Sequence, residues 1–140
     1  MVFSDEGLML YDSSAAFTTN FTSPLTSAIT AAQTKAAGCG GYWAGTANSG
    51  CFSTSDGTNY NYIDTSVLYQ KLVDNRINVL TRDNACQARL VGTKGGFSIC
   101  PTNNAIPCQN FTTSNGLPQN DITAIGQDCQ GRIWLGTRDS

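Results

Sequence analysis

Three times in 140 residues the chain repeats one pattern: an isoleucine-headed stretch, a cysteine inside it, and a closing Gly-Thr. The stretches are "ITAAQTKAAGCGGYWAGT", "INVLTRDNACQARLVGT" and "ITAIGQDCQGRIWLGT", headed by Ile29, Ile77 and Ile122. Gly45-Thr46, Gly92-Thr93 and Gly136-Thr137 close them, 47 and 44 residues apart. Cys39, Cys86 and Cys129 fall seven, seven and eight residues before the closing threonines. Phe21 and Tyr69 each precede the next heading isoleucine by eight residues. After the Gly-Thr pair comes a glycine followed by an apolar residue, at Gly50-Cys51 and Gly96-Phe97, and "EGLMLYD" supplies a further copy at Gly7-Leu8. A period of this length constrains the architecture directly. Each unit is one supersecondary element that can bury its apolar face only against its neighbours.

The units read as short strands. "ITAIGQD" alternates, Asp128 to Gly131 makes a turn, "RIWLGT" runs apolar, and "GLMLYD" alternates again. Alternation broken by closely spaced turns is the signature of β structure. Only "SAITAAQTKAA" has helical propensity, and it falls on the first-strand position of the repeat, so 28–34 is expected as a strand. Strands are expected near 7–12, 28–34, 42–46, 77–82, 89–93, 96–100, 122–127 and 132–137. Four short strands in about 45 residues make one blade of a β-propeller. The expected fold is all-β: one array over 1–140, a partial propeller of three blades with four short antiparallel strands each. Its units are approximately 7–49, 50–95 and 96–140.

Composition narrows the function. Charged residues are 13% of the chain, against roughly 25% in a typical soluble domain. The formal net charge is −2 and no basic stretch exists, so nucleic acid is not an expected partner. No apolar run is long enough to span a membrane. "MVFSDEG" does not read as a signal peptide. Histidine is absent, which removes the usual zinc sites and histidine-activated nucleophiles. The expectation is a non-enzymatic protein with no cofactor and no metal. Six cysteines without a C-x-x-C favour disulfides in an oxidising compartment over free thiols. The sequons at Asn20 and Asn110 (Asn20-Phe21-Thr22, Asn110-Phe111-Thr112) are candidate glycosylation sites and fit an extracellular or periplasmic location.

"NGLPQNDITAIGQDCQGRIWLGTRDS" resembles the repeat of two-component regulator propellers, the sensor modules of bacterial hybrid histidine kinases. Gly116-Leu117-Pro118, Asp128, Gly131, Trp134, Gly136 and Thr137 carry the resemblance. The second unit has Leu90 in place of the tryptophan, and the first departs at Gly38 to Gly41. The resemblance implies that Trp43, Leu90 and Trp134 wedge between blades and that the repeat glycines let the next strand approach. It also implies a sensing role. The cysteines lie outside the shared pattern.

Three blades are too few to close, since propellers have about four to eight. The third unit lacks the strand that follows Gly-Thr, and "GLMLYD" is an orphan of that kind. Leu8, Leu10 and Tyr11 of one copy are therefore expected to add to the edge left by Ile133, Trp134 and Leu135 of another. The result would be a homo-oligomer, either a ring or a head-to-tail filament with a structural role. The alternatives are the ligand-sensing fragment of a periplasmic sensor, or a carbohydrate-binding module whose partner is a glycan or small molecule.

The first unit carries extra sequence: 19 residues separate Gly50 from Tyr69, against 15 from Gly96 to Phe111 and 14 from Gly7 to Phe21. Asp56, Asn59, Tyr60, Tyr62 and Asp64 crowd there as candidate ligand-loop residues, since tyrosine faces stack on sugars and Asn and Asp bind hydroxyls. A decorated turn is the alternative. Asp74, Asp83, Asp121 and Asp128 sit at turn or strand-head positions, and no carboxylate pair stands out as catalytic. For the cysteines, Cys86 and Cys129 are expected at turns on the same end as the crossing "PTNNAIP". Sequential pairing (Cys39–Cys51, Cys86–Cys100, Cys108–Cys129) is compatible with that placement, and Cys100–Cys108 is the competitor.

Overall fold

A computed structural model describes residues 2–4, 7–11, 17–22, 29–33, 42–54, 59–66, 70–103 and 105–138, with backbone alone for 2–22, 32 and 33. The described residues form four antiparallel sheets in which hydrogen-bonded neighbours follow chain order. The first holds β1 (Val2–Ser4), β2 (Gly7–Tyr11) and β3 (Phe17–Thr22). The second holds β4 (Ile29–Gln33), β5 (Tyr42–Thr46), β6 (Cys51–Thr54) and β7 (Asn61–Ile63). The third holds β8 (Ile77–Arg82), β9 (Ala88–Thr93), β10 (Phe97–Pro101) and β11 (Gln109–Phe111). The fourth holds β12 (Ile122–Gln127) and β13 (Ile133–Thr137). One 3₁₀ turn, Thr113–Asn115, and no α-helix occur among them. The chain is all-β and folds as a partial propeller, with two complete four-stranded blades flanked by partial ones.

Every strand expected from the sequence is present to within a residue at each end. The stretch "ITAAQ" is a strand despite its helical propensity, because its Ile29 and Ala31 are buried in sheet packing. The sheets are offset from the repeat. Each unit of the 7–49, 50–95, 96–140 phase takes two strands from one sheet and two from the next. "GLMLYD" is not an orphan either, since β2 lies between β1 and β3.

Register shows why the motif residues recur. In β5, Trp43 and Ala44 point to opposite faces, and both are buried. A Cβ on Gly45 would overlap Ile77 Cγ2 and lie 2.8 Å from Ile77 Cβ, and one on Gly92 would lie 2.7 Å from Ile122 Cγ2. The glycines of the first two Gly-Thr pairs are thus hollows into which the next blade's heading isoleucine fits. A bulge follows each of Ile29, Ile77 and Ile122. The bulged residue turns its side chain across the joint: Thr30 Oγ1 donates to the Ile77 carbonyl at 2.5 Å, and Asn78 Nδ2 to the Ile122 carbonyl at 2.9 Å.

The threonine serves the turn. Thr46 Oγ1 donates to Gly50 O and Thr93 Oγ1 to Gly96 O, each at 2.8 Å, and both threonines are fully buried. Gly50 and Gly96 take φ of 78° and 147°, which explains glycine there. Asp83 Oδ1 accepts from the amides of Gln87 and Ala88, and Asp128 Oδ1 from those of Gln130 and Arg132. Both aspartates shape the turn between first and second strands.

The core runs through the blade interfaces. Trp43, Cys51 and Ile63 of the second sheet meet Ile77, Leu80, Val91 and Cys100 of the third. Leu90 and Phe97 of the third sheet meet Ile122 of the fourth. Fully burying one such aliphatic side chain contributes roughly 1.5–3 kcal/mol, so neighbouring blades stabilise one another.

Candidate functional site

The fourth sheet presents the most unusual surface. Among the described residues β13 pairs with β12 alone, whereas β5 and β9 are paired on both sides. Ile133 and Leu135 turn toward the third sheet and, with Phe97, Ile99, Phe111 and Leu117, line an apolar groove of about 190 Å³. Trp134 faces the other way and is 62% exposed. At the same repeat position Trp43 is 8% and Leu90 1% exposed. Asp128 Oδ2 accepts from Trp134 Nε1 at 3.1 Å and from Arg132 Nε at 2.7 Å. These bonds, the tryptophan's first, hold the Asp128 carboxyl below its ordinary range. Leu8, Leu10 and Tyr11 lie on β2, of which only the backbone is described. Both edges of β2 are occupied, so offering it to a second copy would require β1 to leave.

The second sheet carries an aromatic surface. Tyr60 lies edge-on to Phe52, with ring centroids 5.7 Å apart, and 6.4 Å from Tyr62. Tyr62 is exposed at 46%, Asn59 is exposed and Asp64 half-buried. Asp64 Oδ1 accepts from the amide and hydroxyl of Ser66, which makes it a turn former. Asp56 lies outside the described residues. The extra sequence of this unit is not in the loop before Tyr60. By register Ile63 opposes Cys51 as Phe111 opposes Phe97 and Phe21 opposes Leu8. The outer strand therefore ends at Ile63, not at Tyr69. The surplus falls after it, where 14 residues separate Ile63 from Ile77, against 11 and 8 at the equivalent crossings. That crossing doubles back: the Leu72 amide bonds to Asp64 O, and the buried Gln70 donates through Nε2 to the carbonyls of Pro101, Asn103 and Ile106.

The cysteines correct the sequential pairing. Cys100 is bonded to Cys108, Cys86 is disulfide-bonded elsewhere, and Cys51 and Cys129 are free thiols. "PTNNAIP" is the hairpin loop between β10 and β11 of one sheet, not a crossing, so its two ends meet each other. Cys86 and Cys129 sit between first and second strands, on turns of that same end of the sheets. Cys86 occupies the turn position that Gly131 holds in the next unit, with φ of 58°. Cys39 lies outside the described residues. Asn20 is on β3, and Asn110 on β11 is exposed, its Nδ2 donating to Lys71 O and its Oδ1 accepting from Ser98 Oγ.

Arg89 could not be anticipated from the sequence. Its guanidinium lies 3.6 Å over the Trp43 ring inside the blade interface, and the residue is 7% exposed. Burial pulls it down to about 10. Burial likewise pushes the neighbouring Cys51 thiol up to about 12, with Arg89 opposing. Three half-buried carboxylates are committed to ion pairs. Asp74 pairs with Arg76, Asp121 with Arg138 and Asp128 with Arg132, and each carboxyl sits below its ordinary range. No cluster of metal-ligating side chains occurs among the described residues, nor does a helix long and apolar enough to cross a membrane.

The strand pair β12–β13 with its lead-in decides the relationship, because residues 116–139 match the two component regulator propeller family. The chain carries a two component regulator propeller repeat. The same register of heading isoleucine against Gly-Thr occurs in the second and third sheets, so the repeat geometry extends beyond the matched residues. Among solved structures, the chain is similar to the extracellular domain assigned to a hybrid two-component system of B. thetaiotaomicron. Identity is 24%, the TM-score is 0.69, and the match covers 97% of this chain and 18% of that one. It is also similar to PorZ, a bacterial surface component of the type-IX secretion system of Porphyromonas gingivalis, at 18% identity and TM-score 0.61, covering 94% and 18% of the two chains. The chain thus spans 18% of the length of either structure, and at these identities the likeness is one of fold. No curated protein matches the sequence.

Proposed function

We propose that the chain is a non-catalytic run of propeller blades belonging to the extracellular or periplasmic sensing part of a two-component system, and that it works by binding. The observation that carries this reading is the regulator-propeller repeat at 116–139, set in blades of matching register. The compartment is supported by the Cys100–Cys108 disulfide and by the extracellular origin of a similar structure. A binding role is supported by the carboxylates described above, which are engaged in turns and ion pairs rather than facing one another. The ligand surface we assign is Tyr60, Tyr62 and Asn59, and its ligand is a neutral glycan or small polar molecule stacked on the exposed Tyr62 ring. Saturation-transfer NMR of the full chain with neutral di- to hexasaccharides tests it. Binding should be seen and should be lost in Tyr62→Ala. A folded chain that binds none, or a Tyr62→Ala chain that binds as well, overturns the assignment.

A second reading is self-association into a ring or filament, favoured by the edge of β13 that is unpaired among the described residues and by the apolar groove beside it. Strand addition there would gain about 0.5–1.5 kcal/mol net per hydrogen bond. It must first release β1 from β2 and then offset an association cost of ~4–15 kcal/mol. Native mass spectrometry of the intact chain and of a chain lacking residues 1–11 decides it. An intact oligomer that the deletion abolishes supports the reading, and a folded monomer refutes it.

A further inference from the structure

The joint between the second and third sheets encloses a cation whose charge is not matched. Arg89 is 7% exposed, and its Nε and Nη1 atoms are buried without a hydrogen-bond partner. Its guanidinium carbon lies 3.6 Å from the centroid of the Trp43 ring. By register Arg82 stands directly opposite Arg89, and Ser53 opposite Trp43. Residues so opposed leave the same face of their sheet. Arg82, half-buried at the end of β8, therefore adds a second cation on the face that meets the second sheet. The buried Ser53 turns its hydroxyl-bearing side chain to the same joint from β6. Asp83, next to Arg82 in the chain, directs Oδ1 to the Gln87 and Ala88 amides instead. The ionisable group that acts on Arg89 is the Cys51 thiol, and burial pushes that thiol up to about 12, so it keeps its proton at neutral pH. Among the described residues, then, no anionic group offsets the guanidinium.

We infer that Arg89 marks a binding site for a small carboxylate, held at the N–H edge of its guanidinium between the two blades. An unpaired charge in a low-dielectric interior is costly, and a nearby opposite charge is felt there far more strongly than in water. The Trp43 ring offsets part of that cost by cation–π attraction, but it covers the face of the guanidinium and not the edge. A water molecule would accept from the N–H groups and leave the charge in place, whereas an anion answers both. A carboxylate shares the planarity of the guanidinium and can accept two parallel N–H bonds from one edge. Trp43, Cys51, Val91 and Cys100 close around the joint and are all buried, which restricts the ligand to a few atoms. The site is separate from the tyrosine surface. Tyr62 opposes Phe52, the strand neighbour of Ser53, and so faces the other side of the second sheet. The inference therefore goes beyond the proposed glycan binding and does not rest on it.

The experiment titrates sodium formate into the full chain at fixed ionic strength, balanced with a bulky sulfonate salt. Proton–nitrogen NMR follows the Arg89 Nε–H resonance, which is assigned by its loss in Arg89→Lys. The resonance should shift along a saturating curve. Trp43 emission, read in a Trp134→Phe chain so that one tryptophan reports, should change along the same curve. Arg89→Lys keeps the charge but loses the planar edge, and by Trp43 emission it should bind formate roughly tenfold more weakly or worse. Arg89→Met removes the charge and should leave no saturable response. A parent resonance that does not shift saturably overturns the inference. So does an Arg89→Met chain that responds like the parent, and so does chloride bound as tightly as formate, which would reject the carboxylate class. Should either variant fail to fold, the resonance of the parent chain decides. None of these outcomes depends on Tyr62, so the glycan assignment stands or falls separately.

Discussion

Gly45→Ala tests the blade joint at its narrowest point. The added methyl would overlap Ile77 Cγ2, with Ile77 Cβ 2.8 Å and Cγ1 3.2 Å away. Ile77 is 2% exposed, and its β-branched side chain has no room to rotate aside. Overpacking of this kind costs roughly 1–3 kcal/mol. Replacing glycine in a strand interior regains up to about 1 kcal/mol of backbone entropy. The expected net loss is therefore about 1–2 kcal/mol. Gly136→Ala is the control, because the nearest atoms to its methyl would be Ala124 Cβ at 3.1 Å and Ala124 N and Thr123 Oγ1 at 3.8 Å, with no heading isoleucine among them. That variant should change stability by less than about 1 kcal/mol in either direction. Ile77→Ala alone should cost ~2–5 kcal/mol. The double variant should lose less than the sum of the singles, since the smaller side chain makes room for the methyl. Urea unfolding followed by circular dichroism measures all four chains. If Gly45→Ala matches the parent, equals Gly136→Ala, or adds to Ile77→Ala without coupling, the glycine–isoleucine joint does not hold the blades.

The buried thiol gives a pH signature. Cys51 is raised from 9.0 to about 12, so the unfolded chain loses this proton first and stability falls as pH rises above 9, by about 1.4 kcal/mol per unit. Arg89, lowered from 12.5 to about 10, acts in the opposite sense above pH 10. The loss is therefore clearest between pH 9 and 10, and in a Cys129→Ser background Cys51→Ala should remove it; an unchanged slope refutes the assignment. Iodoacetamide should alkylate Cys129 in the native chain and Cys51 only after unfolding, with fast native labelling of Cys51 counting against its burial. A non-reducing peptide map should yield a Cys100–Cys108 fragment, and Cys100→Ser/Cys108→Ser should cost about 2–3 kcal/mol from the short loop released. Recovery of a Cys86–Cys100 fragment would contradict the structure. Trp43→Ala should cost ~3–5 kcal/mol and Trp134→Ala less than about 1 kcal/mol, as thermal or urea denaturation would show, and equal losses would mean that Trp134 is covered.

Local chemistry was legible in the residues themselves. The alternation of "ITAIGQD", the aspartate turns, the turn threonines and the glycines after them each act within a few residues, through strand periodicity, a carboxylate accepting nearby amides, or a glycine at positive φ. The repeat then fixes their order, so strands and fold class follow from the chain alone. What the tertiary structure decided depends on residues distant in sequence. The register of β6 against β7 made Ile63 the end of the outer strand and moved the surplus residues into the crossing. The ends of "PTNNAIP" paired with each other because they close one hairpin, a fact that spacing cannot distinguish from a crossing. Arg89 became a buried cation because β9 is set against β5 of the preceding blade, placing its side chain over Trp43. The same wedge position is buried at Trp43 and open at Trp134 for one reason: the sequence specifies the shape of each blade face, but burial requires a second blade to cover it.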